Sequence, residues 1–94
     1  MKKPLAIDFD FHAVFRLAQR SIEFGLTYEQ ARERTLKTVQ LGHLAKRKHL
    51  SKYHKTYYHY FGDNLSFYVI CKEIDSDKPT THLIKTVIIE MGRE

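Results

Sequence analysis

Apolar and polar positions alternate with two different periods along this chain, helical first and strand-like afterwards. Phe11, Val14, Phe15, Ala18 and Ile22 fall at i, i+3, i+4, i+7 and i+11, the spacing of one helical stripe. The spacing predicts a helix whose stripe meets the core. Asp10 stands where an N-cap belongs and Gly25 where a left-handed stop belongs. A second helix is expected from Thr27, because Thr27-Tyr28-Glu29-Gln30 has the capping-box form. Tyr28, Ala31, Thr35 and Val39 share a face, Glu33 and Lys37 form an i,i+4 pair in the favourable order, and Gly42 closes the segment.

Beyond Gly42 the pattern changes. Residues 53–61 are dense in Tyr and His, and residues 65–73 and 82–91 are rich in apolar and β-branched residues. All three favour strands. Gly62-Asp63-Asn64 is a turn signal, and a longer loop containing Pro79 runs from Asp75 to Thr81. Residues 5–9 read as a short strand or a lead-in. Helices followed by strands imply an α+β domain: two N-terminal helices packed on a three- or four-stranded, mainly antiparallel sheet. Alternation sends Tyr53, Lys55, Tyr57, His59 and Phe61 one way, and His54, Thr56, Tyr58 and Tyr60 the other. One face must meet the helices, so some of these tyrosines belong to the core.

Ninety-four residues make one domain, 1–94, and 43% hydrophobic content is enough to fold it. No apolar run approaches the roughly 20 residues of a membrane span. Asp8 and Asp10 interrupt the apolar stretch after the N-terminus. The expectation is a soluble, cytoplasmic protein with no membrane partner. A single cysteine, Cys71, excludes an internal disulfide framework and a multi-cysteine zinc site. Amid apolar strand residues it reads as a small buried hydrophobe. His49, His54 and His59 match no standard zinc spacing, and P-loop, dinucleotide and nucleophile-elbow motifs are missing. Neither a metal nor a cofactor is expected.

Charge adds more. The net charge is +5, yet the 29 residues between Glu33 and Asp63 hold no acid and seven Lys or Arg, while the remainder carries nine basic and eleven acidic residues. Four of the six histidines and four of the six tyrosines lie in that stretch. Cations interleaved with flat rings suit RNA, where phosphates take the charge and unstacked bases take the rings. The candidate contacts are Lys46, Arg47, Lys48 and Lys52, with Tyr53, Lys55, Tyr57 and His59 on the strand that follows. The plainer alternative is a solvated basic loop leading into a tyrosine-rich edge strand.

Catalysis without a metal needs few parts. A base takes the 2′-OH proton, an acid serves the leaving oxygen, and cations stabilise the charged phosphorane. Histidine suits the first two roles near neutral pH. His54, His59, His82 and Lys85 supply such groups on the strands. His12, Arg16 and Arg20 recur at i, i+4 and i+8 on the first helix, where two guanidiniums suit a phosphate; solvated surface polarity, with Arg20 near Glu23, is the alternative.

The segment His12-Ala13-Val14-Phe15-Arg16-Leu17-Ala18-Gln19-Arg20, followed by Gly25-Leu26-Thr27-Tyr28-Glu29-Gln30-Ala31, resembles the opening of domain-of-unknown-function family 4258. The closing strand, Leu83 to Met91, fits the same pattern. That family is similar in layout to the RelE- and BrnT-like toxins, compact α+β domains that cleave RNA without a metal. The resemblance implies a toxin-type endoribonuclease and gives His12, Arg16 and Arg20 a functional role. With His54 and His82 they complete the candidate catalytic set. The implied partners are RNA and an acidic, antitoxin-like protein. The competing readings are a non-catalytic nucleic-acid-binding module and an interaction protein that pairs through an exposed strand edge.

Overall fold

The computed structural model describes residues 6–74 and 81–94. The reading of the N-terminal residues 1–5 and of the Pro79 loop (75–80) lies outside the described residues. The element order is β1 (Ala6–Phe9), α1 (Phe11–Glu23), α2 (Tyr28–Leu41), β2 (Lys55–Tyr60), β3 (Leu65–Ile74) and β4 (Thr81–Met91). The sheet order is β1-β4-β3-β2. β2, β3 and β4 form the expected antiparallel meander, and β1 adds a short fourth strand, parallel to β4, with Ala6 opposite Thr81. The domain is α+β, with two helices on one face of a mixed sheet: α1 rests on β4, and α2 on β3 and β2.

The helix ends follow the local chemistry. Asp10 accepts from the His12 backbone N–H at 3.0 Å and caps α1. Thr27 and Gln30 exchange both capping-box bonds at the start of α2. Leu26 N–H donates to the Ser21 carbonyl and Gly25 N–H to the Ile22 carbonyl, a Schellman closure that needs Gly25 at φ 70°. Gly42, His49, Asn64 and Gly92 also take positive φ. The Glu33–Lys37 pair does not form among the described residues; Arg34 instead makes a double contact with Asp63, at 2.7 and 2.9 Å, tying α2 to the β2–β3 turn.

The apolar stripe of α1 faces outward, contrary to the spacing argument. Phe11, Phe15 and Ile22 are 84%, 61% and 80% exposed, whereas Leu17 is fully buried. The face that meets the sheet is Ala13, Leu17 and Ser21. Small residues let the helix approach β4 closely, and Leu17 supplies the single large knob. Tyr28 is likewise more exposed than its face-mates Ala31, Thr35 and Val39.

The helix-side face of the sheet presents Tyr57, Leu65, Phe67, Val69, Cys71, Ile84, Val87 and Ile89 as one core. A bulge sets part of this pattern. Ile70 stands opposite Thr86 but Cys71 opposite Ile84, so Lys85 is the extra residue of β4. The insertion reverses the phase of alternation below Val87 and turns Ile84 and His82 toward the helices. Lys85 reaches the α1 cap, with Nζ 2.6 Å from Asp10.

The opposite face is not open either. Tyr68 is 1% exposed, because residues 43–50 fold back over the sheet. His43 and Ala45 first pair with β2: Tyr58 N–H donates to His43 O, and Ala45 N–H to Thr56 O. The chain then crosses the sheet, and the His49 ring stacks edge-on against Tyr68, 4.6 Å between centroids. His49 and Glu90 meet at 2.7 Å and lock the crossing.

Acidification should destabilise the domain in two stages. Burial, with Lys37 and His43 nearby, holds His59 below its ordinary 6.5. A depressed histidine leaves the unfolded chain binding more protons, so stability begins to fall as pH drops below about 6.5. Glu73 and Glu90 sit below their ordinary 4.5, held chiefly by hydrogen bonds from Lys55 and His49. Their contribution is complete above that value and is lost as pH falls through the lowered ones. A urea midpoint that stays flat from pH 7 to pH 5 would contradict the burial of His59.

Candidate nucleic-acid interface

The basic stretch divides into two neighbouring regions. The first is a depression of about 520 Å³ at the end of the sheet, lined by Lys52, Tyr53, His54, Lys55, Cys71, Lys72 and Glu73. β2 starts here and β3 ends here, which brings the cations of one beside the acid of the other. Glu73 is the organiser. Its carboxylate lies 3.0 Å from Lys55 Nζ, accepts from the Tyr57 hydroxyl at 3.1 Å, and stands 3.7 Å from His82 Nδ1. The last distance is ion-pair range but too long for a hydrogen bond. His82 Nδ1 and His54 Nδ1 are accordingly buried atoms with no hydrogen-bond partner.

These environments sort the chemistry. Burial first, then the bond to Glu73, pushes the Tyr57 hydroxyl up, so Tyr57 is a donor and not a base. Burial pushes the Cys71 thiol up to about 12, which rules out a ready thiolate nucleophile. Lys52 lies over the exposed Tyr53 ring, with Nζ 5.8 Å from its centroid. Tyr53 can therefore offer its other face to a base. Among the described residues no group of three or more His, Cys, Asp or Glu is placed to hold a metal ion.

The second region is the crossing loop. Lys46, Arg47 and Lys48 are exposed, and their backbone N–H groups converge on Glu94 Oε1 at 3.0, 2.8 and 2.9 Å. Glu94 N–H donates to the Tyr58 hydroxyl at 3.0 Å.

The sequence-derived residues thus fall into separate groups. His54, Lys52, Tyr53 and Lys55 share the depression, with His82 behind Glu73. Lys46, Arg47 and Lys48 share the loop. His12 and Arg16 stay on exposed α1, where Arg16 Nε donates to His12 Nε2 at 3.3 Å. They share no hydrogen bond, ion pair or ring contact with His54 or His82, and Arg20 has no charged partner among the described residues. Two of the proposed base-stacking rings are turned inward. Tyr57 is 6% exposed beneath the helices, and His59 packs edge-on against Phe61 at 4.6 Å. Their strand face is the one that α2 covers.

Sequence reasoning passed over the acids. Glu73 carries a legible signal: it is in phase with Leu65, Phe67, Val69 and Cys71, so β3 alternation points it to the buried side. Glu90 and Glu94 carry none, because their partners are distant in sequence. No protein-family model, curated protein or solved structure matches the chain. The site therefore rests on its geometry alone.

Proposed function

We propose that this small basic protein acts on RNA, as a metal-independent endoribonuclease of the toxin type. The observation that carries this reading is His54. Its half-buried ring lines a depression flanked by Lys52 and Lys55, beside the exposed Tyr53, and with Nδ1 buried the nitrogen offered to a substrate is Nε2. A base seated on Tyr53 brings its ribose and phosphate to that depression. His54 then serves as the proton acceptor for the 2′-OH. The 2′-oxygen closes on phosphorus as the P–O5′ bond breaks, and the leaving 5′-oxygen takes its proton from water; Lys52 and Lys55 balance charge on the phosphorane, and Glu73 holds Lys55 and the Tyr57 hydroxyl in place. The toxin-like layout suggested by the sequence supports the same reading. His12, Arg16 and Arg20 become backbone contacts on α1 rather than members of this centre.

The test is incubation with a mixed RNA pool, with and without EDTA, and mapping of the new ends. Cleavage that survives EDTA and leaves 2′,3′-cyclic phosphate is the expected result. The second reading is a non-catalytic binder, favoured by the plain exposure of Lys46, Arg47 and Lys48. Salt-sensitive retention of intact RNA would replace the first reading with this one. Pairing through the edge of β2 has less support, since His43 and Ala45 already occupy part of it. An acidic protein partner has one feature in its favour: the outward stripe of α1, with Arg16 beside it.

A further inference from the structure

We propose that the backbone N–H groups of Lys46, Arg47 and Lys48 are an oxyanion seat for a nucleic-acid phosphate, which the Glu94 carboxylate occupies in competition. Three successive N–H groups aimed at one oxygen form an anion-binding concavity. All three meet Glu94 Oε1 within 3.0 Å, and Lys46 N–H also lies 3.0 Å from Oε2. His49, at φ 56°, turns the chain directly after them, which keeps the donors convergent. The seat is thus seen holding an anion.

The occupant is a poor match for the surrounding charge. The three residues whose backbones hold this single negative charge are all basic and exposed, and Lys46 and Arg47 form no ion pair among the described residues. Lys48 lies 3.5 Å from Glu90, whose carboxylate His49 already engages at 2.7 Å. A phosphate brings the same oxygen geometry, and more oxygens with which to meet the adjacent cations. The exchange needs only the Glu94 side chain to swing out, since its backbone N–H stays on Tyr58 and Gly92 stays paired with Asn64 and Ser66, while the loop is fixed by the β2 edge and by His49 on Tyr68. Binding therefore exchanges one anion for another on a preformed surface. The identity of the natural ligand rests on the RNA reading above; the seat itself does not.

The exchange is testable on the full chain by titrating ¹⁵N-labelled protein while following the Lys46, Arg47 and Lys48 amides. The probes are inorganic pyrophosphate and a single-stranded oligoribonucleotide. Glu94→Gln keeps the side-chain length and an acceptor oxygen but removes the charge, so the loop keeps its shape; Glu94→Ala empties the seat. A tail that fills the seat nine-tenths of the time hides it by about tenfold. Pyrophosphate should therefore move these amides in Glu94→Ala at roughly tenfold lower concentration than in the unmodified chain, and in Glu94→Gln at a concentration between the two. Unmoved amides, or weaker binding once Glu94 is replaced, would overturn the proposal. Amides that respond to pyrophosphate but not to the oligonucleotide would uphold the seat and count against RNA as its ligand.

Discussion

Leu17→Ala should cost about 2–5 kcal/mol of folding stability, whereas Phe15→Ala should change it by about 0.5 kcal/mol or less. The two residues lie two apart on α1, and Phe15 is the larger. Leu17 is fully buried against β4 and Phe15 is 61% exposed. Removing Leu17 opens a cavity between α1 and the sheet, and the neighbouring Ala13 and Ser21 are too small to fill it. Stability of a domain this size is about 5–15 kcal/mol, so Leu17→Ala alone consumes a large fraction of it. Urea unfolding of both variants measures the difference. If Phe15→Ala is the damaging change, α1 is rotated relative to this structure. The Phe15 variant also probes the protein-partner reading. It should be as stable as the parent chain, so a partner whose affinity ignores it does not sit on the α1 stripe.

His54→Ala should lower RNA cleavage by about 10²–10⁴, the usual contribution of a positioned proton acceptor. RNA retention should change little, because Lys46, Arg47, Lys48 and Lys52 remain. The ring is only partly buried and its Nδ1 has no partner to orphan, so the unfolding midpoint should hold. That separates lost chemistry from lost fold. Unchanged cleavage would remove His54 from the mechanism and return attention to His12 and Arg16. His82→Ala is a less clean probe, since that ring packs within 6.0 Å of Tyr57 and its loss would disturb the core.

Much of the fold was legible because its signals are local. The Asp10 cap, the Thr27–Gln30 box, the Gly25 and Gly42 stops and the Asn64 turn each depend on residues within a few positions. Alternation likewise separated the two faces of β2. What escaped has long-range causes. Which stripe of α1 docks is decided by how closely the helix can approach β4, and small residues win there although large apolar ones give the stronger periodicity. The bulge at Lys85 flips the phase of β4 below Val87, so alternation counted from Ile89 puts His82 on the wrong face. The roof over Tyr68 depends on His49 finding Glu90, forty-one positions away. Of the candidate site, the cations and His54 were visible as a composition shift, while Glu73 was overlooked as the residue that gathers them.

The outward stripe of α1 has a consequence for how the chain reaches this fold. α1 carries two rival apolar surfaces, and the one left outside is the greasier. The native docking surface for Leu17 is β4, some sixty residues further along, and β1 likewise waits for β4 to pair with it. Until β4 is in place, Phe11, Val14, Phe15 and Ile22 are free to collapse onto α2 or the β2–β3 hairpin. Such a rolled-over helix would be a kinetic trap, with local propensity and tertiary fit pulling in different directions. Escape requires α1 to turn about its own axis while the sheet closes. A slow, stripe-dependent folding phase, relieved by polar substitutions at Phe15 or Ile22, would be its signature.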